Sequence, residues 1–406
     1  MSAAERLIRY CMVDTQSDPD STASPSTKKQ FDLAEMLVKE LREVGIADAV
    51  LDETCYVYGH LEANTDKECP TVGFIAHMDT APDFTGTNVR PRLIENYDGE
   101  DIRLNDSIVT KIADFPQMKE LQGKTLLVTD GNTLLGADDK AGITAIMEAL
   151  CILKDHPEIP HGRIAIAFTP DEEIGRGTEH FNFERFGADF AYTMDGDAIR
   201  YYADETFNAA AASVTFHGFS VHPGSAKDKL VNALNLAMEF HGLLPEHMRP
   251  EHTEGREGFI HLHTMEGSSE EAHLSYILRE HDAVKFSGLK ERMQEALRHM
   301  KAVYGEGCAE MRITDTYANM KEYLKDRPDV MAYALQAFAS IGIEPECVPV
   351  RGGTDGAMLS AKGLPCPNLG TGGGNFHGRY EYCCIEELEA AADLIVEIVK
   401  AVGKGE

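Results

Sequence analysis

Residues 133–143 of the chain are Thr133-Leu134-Leu135-Gly136-Ala137-Asp138-Asp139-Lys140-Ala141-Gly142-Ile143. A short apolar run at 125–129 and a turn precede this stretch, and apolar residues at helical spacing follow it. Two adjacent acids therefore lie where a helix begins. A helix N-terminus favours negative charge, so one acid there needs no special explanation. Carboxylates about 4 Å apart repel by about 4 kcal/mol at a dielectric of about 20 unless solvent or a cation intervenes. The pair indicates either a solvated helix cap with a spare charge or a metal site.

Other apolar runs along the chain also stop abruptly at residues that can bind metal. The runs at 71–76, 163–168 and 190–194 predict buried strands. The residues that follow them are His77 and Asp79, then Asp171, Glu172 and Glu173, then Asp195 and Asp197, and a glycine-rich loop near the far end carries His377. Ligands of open α/β sheets gather at the carboxyl ends of the strands, so these segments are expected to converge.

Alternating strand and helix patterns over residues 125–200 predict βαβ units and a mostly parallel sheet covered by helices. The pattern changes near residue 207, where a segment with its own strands and helices begins. We expect an α/β catalytic domain formed by residues 1–206 and 319–406, with residues 207–318 inserted as a second domain. The polar, turn-rich stretch at 14–26 predicts a plain surface loop, with a loop that faces the active site as the alternative.

The composition describes an ordinary globular protein with a strongly acidic surface. Of 406 residues 43% are apolar, and the formal net charge is -30. Such a surface repels phosphate backbones and anionic lipid, so we expect neither nucleic acid nor membrane as a partner. No apolar run approaches the roughly 18 residues that span a bilayer, and the first ten residues lack an apolar signal core. Nine scattered cysteines without a paired spacing favour reduced thiols, which predicts a cytoplasmic protein.

Five motifs, in order, resemble those of the co-catalytic zinc exopeptidases, the family that includes aminoacylase, carboxypeptidase G and succinyl-diaminopimelate desuccinylase. They are His77-x-Asp79, Gly136-Ala137-Asp138-Asp139-Lys140-Ala141-Gly142, Pro170-Asp171-Glu172-Glu173, Asp195-Gly196 and His377-Gly378. Further stretches resemble the family's tripeptide aminopeptidases: His222-Pro223-Gly224, Asn319-Met320, residues 351–356 and residues 364–369. The resemblance covers nearly the whole chain. It implies a zinc-exopeptidase-like mixed sheet flanked by helices, with an inserted smaller α+β lid domain.

The resemblance also implies a site for two Zn²⁺ ions per subunit. Asp138 would bridge the ions, with one carboxylate oxygen on each and about 3.5–4 Å between them. His77 and Asp195 would complete one ion's ligands, and Glu173 and His377 those of the other. Mixed nitrogen and oxygen ligands suit zinc, and Co²⁺ or Mn²⁺ could substitute for it.

The family further implies roles for residues that do not bind metal. Glu172 would be the general base that activates water, and Asp79 would accept the imidazole N–H of His77 and orient the ring. His222 would contact the substrate from the lid and stabilise the developing oxyanion. Arg279 and Arg351 are candidates for binding the carboxylate of a short peptide, because a guanidinium group matches a carboxylate with two hydrogen bonds.

The implied activity is removal of the N-terminal residue from short peptides, preferentially tripeptides. A dipeptidase, a carboxypeptidase or an N-acyl amino acid amidohydrolase would use the same metal site, because the fold alone does not determine the substrate. A non-catalytic, metal-stabilised binding protein is the alternative from another class, and it would not need Glu172. The inserted domain also resembles a dimerisation module, which would make the protein a homodimer.

Overall fold

The computed structural model describes residues 1–404 and separates the chain into two compact units. The first unit contains Met1–Asp204, Tyr323–Val348 and the chain from Thr354 onward. The second contains Glu205–Glu322 and the short segment Pro349–Gly353. Among the described residues, every helix is too short or too polar to cross a membrane.

The helices and strands alternate through most of the chain. Up to residue 204 they are α1 Ala3–Cys11, α2 Gln30–Val44, β1 Val50–Leu51, β2 Val57–Leu61, β3 Val72–His77, β4 Arg92–Ile94, β5 Ile102–Arg103, β6 Val109–Thr110, β7 Leu126–Val128, α3 Ala137–Asp155, β8 Ile164–Thr169, α4 Phe183–Phe186, β9 Phe190–Gly196 and β10 Tyr201–Ala203. The next six are β11 Asn208–His217, α5 Ala233–Leu243, β12 Phe259–Gly267, β13 Glu271–Glu280, α6 Ala283–Tyr304 and β14 Ala309–Tyr317. The remainder are α7 Lys321–Leu324, α8 Pro328–Ser340, β15 Glu346–Cys347, α9 Asp355–Ala361, β16 Asn368–Gly370, β17 Gly373–Gly374, β18 Tyr382–Cys384 and α10 Ile385–Lys404. Short 3-10 helices cover Pro116–Leu121, Glu172–Ile174, Pro223–Ser225, Glu246–Met248, Pro250–His252 and Glu306–Cys308.

The first unit is built on an eight-stranded sheet in the order β1-β2-β8-β3-β9-β16-β10-β15. Its central strands β8, β3, β9 and β16 run parallel, whereas β2 pairs with β8 and β10 pairs with β16 in the antiparallel sense. The predicted fold class is therefore confirmed: an α/β protein with a mixed sheet flanked by helices and an inserted, smaller α+β unit.

Both faces of this sheet are buried, which explains why its central strands are continuous apolar runs rather than alternating ones. Every residue of β3 and β8 is buried. Phe74 packs on one face into the core that includes α1, α2, α3, α8 and α10. Its neighbour Ile75 packs on the other face with residues of α4 and α9.

Strand β7 corrects one expectation, since the alternation over residues 125–200 predicts that it joins the parallel sheet. It lies instead in a separate four-stranded sheet, in the order β17-β18-β7-β4, and both of its neighbours are antiparallel. This small sheet has its own apolar cluster, which includes Leu126, Val128 and Tyr382. A run of three strand residues carries no signal that distinguishes one sheet from another.

Helix α3 lies close against strand β9 because residue 142 is a glycine. A Cβ atom at Gly142 would overlap the carbonyl oxygen of Met194 and the carboxylate of Asp139. The start of α3, with Asp138, is thereby held beside the end of β9, with Asp195.

Replacing Gly142 with alanine is expected to destabilise the protein by about 1–3 kcal/mol, because the added methyl group overpacks a rigid contact. The measurement is the free energy of unfolding in denaturant. Gly288→Ala is the matched control, since Gly288 lies inside α6 with no atom within 4 Å of a Cβ atom there. That control should be neutral or stabilising by up to about 1 kcal/mol. Equal stability of the two variants would contradict the close contact at Gly142.

The second unit is a four-stranded antiparallel sheet in the order β12-β13-β11-β14, with helices α5 and α6 on one face. The alternation of β11 produces this arrangement. Ala210, Ala212, Val214 and Phe216 are buried in the helix-covered core, while the residues between them are exposed or half-buried.

Candidate metal centre

Three neighbouring parallel strands bring their carboxyl ends to one edge of the large sheet, and the predicted ligands lie there. His77 is the last residue of β3, and Asp195 is the last but one residue of β9. Glu172 and Glu173 follow β8 in a single 3-10 turn. Asp138 is at the start of α3. The topology thus collects segments that are far apart in the sequence, as the strand-end pattern predicts.

The carboxylate of Asp138 lies between two imidazole rings. Its Oδ1 is 3.0 Å from Nε2 of His77, and its Oδ2 is 3.2 Å from Nε2 of His377. Each imidazole nitrogen also faces a second acid. His377 Nε2 is 3.0 Å from Oε2 of Glu173, and His77 Nε2 is 3.7 Å from Oδ1 of Asp195. The two oxygens of one carboxylate therefore face two separate pairs, each of one histidine and one acid.

All five predicted ligands and the predicted base come together at this point. Two sets of three side chains have metal-binding atoms within 4.8 Å of one another: His77, Glu172 and Asp195, and His77, Asp138 and Glu173. Glu172 belongs to one of these sets, so geometry alone does not distinguish a general base from a metal ligand at this position.

The site concentrates negative charge in a buried place. Burial raises the pKa of Glu173 to about 7, and the charge of Asp138 adds to the effect. Burial likewise raises the pKa of Asp195 to about 6, against a hydrogen bond with His77. Hydrogen bonds with Asp138 and then Glu173 raise the pKa of His377 to about 11. The neighbouring carboxylates therefore favour the protonated form of the His377 imidazole.

A divalent cation fits this arrangement. Oε1 of Glu173 is buried and has no hydrogen-bond partner, which is costly unless another group, such as a cation, satisfies it. The side chain of Asp138 is only 12% exposed and Asp139 is 1% exposed, so the solvated helix cap with a spare charge is excluded. Imidazole nitrogens with carboxylate oxygens are the donors that zinc and similar ions accept.

Asp79, predicted to orient His77, also holds the segment that carries the predicted base. Nδ1 of His77 is 3.0 Å from the backbone oxygen of Asp79 and 3.4 Å from its carboxylate Oδ1. The same carboxylate accepts hydrogen bonds from the backbone N–H groups of Glu172, at 2.9 Å, and Glu173, at 3.2 Å. Sequence reasoning missed this second set of contacts, because it joins residues about ninety positions apart.

Asp139 has a comparable role that the sequence pattern did not indicate. Its Oδ2 accepts the backbone N–H of His77 at 3.2 Å, and its Oδ1 accepts that of Gly142 at 3.1 Å. The buried carboxylate of Asp139 therefore connects the segment that carries His77 with the helix that carries Asp138.

Asp171 corrects the expectation of a free surface loop at 14–26. Its carboxylate accepts hydrogen bonds from the backbone N–H of Ser26 and the side-chain amide of Gln30, both at 2.7 Å. Arg176 donates to the backbone oxygens of residues 21 and 23. The loop is therefore anchored to the segment that carries Glu172 and Glu173. The polar composition of the loop predicts exposure to solvent. The buried Asp171 carboxylate that accepts from Ser26 lies 145 residues further along the chain, so the sequence does not reveal the contact.

The three predicted substrate-binding residues lie in the second unit. His222 is exposed, and its Nδ1 accepts the backbone N–H of Gly224. Arg279 donates to the backbone oxygen of Leu278 at 2.9 Å and lies over the ring of Tyr317. The substrate roles of these residues stay predictions.

Arg351 has more protein partners than its predicted role requires. Its guanidinium group donates to the backbone oxygens of Gly255 and Glu257, at 2.8 and 2.9 Å, and to Oγ1 of Thr253 at 3.0 Å. It also lies near the rings of Phe207 and Phe259. In this structure Arg351 stabilises residues 253–257 through these hydrogen bonds. A contact with substrate would be a second role of the same side chain.

Comparisons with known proteins define the class to which this fold and site belong. The model of the peptidase family M20/M25/M40 matches residues 128–401, about two thirds of the chain. The chain belongs to this family and is a metal-dependent peptidase. The prediction of a metal-dependent hydrolase is confirmed at this level.

Within the family, the similarity is to proteins named Peptidase T. The chain is 49% identical to Peptidase T of Alkaliphilus oremlandii, over 98% of its own length and 99% of the relative's. It is 52% identical to Peptidase T of Bacillus licheniformis, over 98% and 97% of the two lengths. The fold is similar to the crystal structure of aminopeptidase PepT from Bacillus cereus, with a TM-score of 0.78, 24% identity and 98% of both chains covered. A tripeptidase from Staphylococcus aureus gives a TM-score of 0.77 at 22% identity, with 99% of this chain and 98% of that chain covered.

Proposed function

We propose that this protein uses two zinc ions to remove the N-terminal residue from short peptides, preferentially tripeptides. The observation that supports it most is the position of Asp138, whose two carboxylate oxygens each face a separate pair of one histidine and one acid. The names of relatives that cover nearly the whole chain, Peptidase T and aminopeptidase PepT, support the choice of aminopeptidase.

Five residues would hold the two ions. One ion would take His77, Asp195 and an oxygen of Asp138, and the other would take Glu173, His377 and the second oxygen of Asp138. The ions, when bound, would supply Lewis acidity that polarises the peptide carbonyl and makes water acidic enough to react near neutral pH. Zinc is proposed because of the mixed nitrogen and oxygen donors, and Co²⁺ or Mn²⁺ could take its place.

Glu172 would move the proton during hydrolysis. Burial, and then the charge of Asp195, raise the pKa of Glu172 well above its ordinary value. A carboxylate with a raised pKa is a better proton acceptor, and its acid form can return the proton to the leaving amine. The hydrogen bonds that Asp79 accepts from the Glu172 and Glu173 backbone would keep this carboxylate beside the ligands.

Substrate length would be set in the second unit. His222 is proposed to stabilise the oxyanion of the scissile carbonyl, and its ring is exposed on the second unit. Arg279 or Arg351 would bind the C-terminal carboxylate of the peptide, and a fixed anchor of this kind makes the enzyme sensitive to peptide length.

Replacing the arginine that binds this carboxylate with alanine is expected to raise KM for tripeptides by about 10–100-fold, since a charge-assisted pair is lost. The preference for tripeptides over longer peptides should weaken in parallel. Arg279→Ala and Arg351→Ala are compared by steady-state kinetics on peptides of two to five residues, together with their free energies of unfolding.

The control for these variants is Arg298→Ala, which removes an exposed ion pair with Glu291 on α6. If Arg351→Ala lowers the free energy of unfolding without changing KM for tripeptides, Arg351 only stabilises residues 253–257. Unchanged KM in both variants would remove both arginines as anchors.

The proposed activity is tested by mass spectrometry of the products from a tripeptide with three different residues. The zinc-loaded protein should release the first residue and leave an intact dipeptide. Release of the third residue would indicate a carboxypeptidase. If the tripeptide stays intact while a dipeptide or an N-acyl amino acid is cleaved, the function is that of a dipeptidase or an amidohydrolase.

The cellular setting is also a proposal. A cytoplasmic location is supported by nine cysteines that are all free in the structure. A homodimer formed through residues 207–318 is supported by the family resemblance of that segment, and sedimentation velocity would measure it.

A further inference from the structure

Glu381 is a buried acid outside the proposed ligand set. It is 1% exposed, and it follows His377 by four residues, immediately before β18. Its Oε2 accepts the backbone N–H groups of Leu135, at 2.7 Å, and Gly136, at 2.9 Å. Its Oε1 accepts the backbone N–H of Asp138 at 3.1 Å. One carboxylate thus takes three amides from the segment that ends in the central ligand.

These three amides need an acceptor from another part of the chain. They lie at or just before the first turn of α3, where the backbone N–H groups have no partner within the helix. Gly136 adopts a left-handed conformation with φ of 81°, and its N–H donates to the same carboxylate oxygen as that of Leu135. Buried amides without an acceptor are costly, so the carboxylate and this backbone conformation depend on each other.

We propose that Glu381 is a positioning residue that sets the Asp138 carboxylate between the two imidazole rings. Its side chain fixes the backbone of residues 135–138, and its own backbone continues the segment that carries His377. Glu381 therefore ties the segments of two ligands to each other through contacts within the protein. The inference rests on the proposed function, because it takes Asp138 as the ligand that both ions share.

Glu386 offers a matched comparison on the same part of the chain. Its carboxylate oxygens accept the backbone N–H of Thr125 at 3.0 and 2.9 Å. It is thus another acid that holds a distant backbone segment, but the segment it holds carries no proposed ligand. A general loss of stability would affect variants at both positions, whereas a loss of ligand geometry would affect only Glu381.

The test compares Glu381→Gln with Glu386→Gln by zinc titration calorimetry and by steady-state kinetics on a tripeptide. A glutamine at 381 keeps one acceptor oxygen but places an NH₂ group where Oε1 accepts from Asp138. We expect the dissociation constant of zinc to rise by about 10–100-fold and kcat to fall by a similar factor. KM should stay within about two-fold, because Glu381 touches no substrate, and Glu386→Gln should match the wild type within about two-fold in every parameter. Zinc affinity and kcat equal to those of the wild type in Glu381→Gln would overturn the proposal.

A second measurement needs no variant and decides the case in which Glu381→Gln does not fold. Hydrogen–deuterium exchange of the metal-free wild-type protein should show slow exchange at the amides of Leu135, Gly136 and Asp138. Exchange as fast as that of exposed loop amides would contradict the proposal.

A third variant, Asp138→Asn, separates this inference from the proposed function. If Asp138→Asn binds zinc like the wild type, the proposed metal site fails. If Asp138→Asn loses zinc while Glu381→Gln keeps it, only the role of Glu381 fails.

Discussion

Replacing Glu172 with glutamine is expected to lower kcat by about 10²–10⁴-fold while two metal ions remain bound. Glutamine has nearly the same size and shape as glutamate, but it cannot accept a proton from the attacking water. The backbone N–H of residue 172 still donates to Asp79, so the segment should stay in place. The measurements are kcat on a tripeptide and metal content by mass spectrometry.

The control for this variant is Glu179→Gln, in the same part of the chain. Glu179 is 54% exposed and pairs with Arg176, and a surface pair of this kind contributes about 0–1 kcal/mol. Its kcat should equal that of the wild type. Because the metal-binding atoms of Glu172, His77 and Asp195 lie within 4.8 Å of one another, loss of metal from Glu172→Gln would instead identify Glu172 as a ligand.

Replacing Asp138 with asparagine should remove metal and activity together. An amide offers one weak oxygen ligand in place of two charged ones, so the shared ligand of both ions is lost. Turnover should fall by more than about 10³-fold, since metal ions contribute several kcal/mol of transition-state stabilisation. The expected metal content is below one ion per chain after gel filtration.

Asp155→Asn is the control for Asp138→Asn, because Asp155 is the exposed last residue of the same helix. It should bind two ions and keep full turnover. A variant Asp138→Asn that retains two ions would show that this carboxylate does not join them.

The strand ends were predictable from the sequence because each ligand follows a buried run. Strands β3, β8 and β9 are buried nearly throughout, so their sequences are uninterrupted apolar runs that end where the first charged residue appears. Parallel neighbours share one carboxyl edge, which is why His77, Glu173 and Asp195 could be grouped without coordinates. The family resemblance then supplied the roles, which no spacing could provide.

The hydrogen bonds that hold the ligand-bearing segments together were not predictable, because they join segments that are distant in the sequence. The family resemblance implies a role for Asp79 only towards His77 and none for Glu381, yet each accepts backbone N–H groups from a segment about ninety or more residues away. Nothing periodic marks such a contact. The sheet that β7 joins was missed for the same reason, since its pairing partners lie 32–36 residues away in β4 and more than 250 residues away in β18.

Anomalous diffraction at the zinc edge, from crystals of the zinc-loaded protein, would show whether Asp138 joins two metal ions. We expect two anomalous peaks, one beside each carboxylate oxygen of Asp138, with His77 and Asp195 at one peak and Glu173 and His377 at the other. A single peak, or two peaks that do not share Asp138, would contradict this expectation.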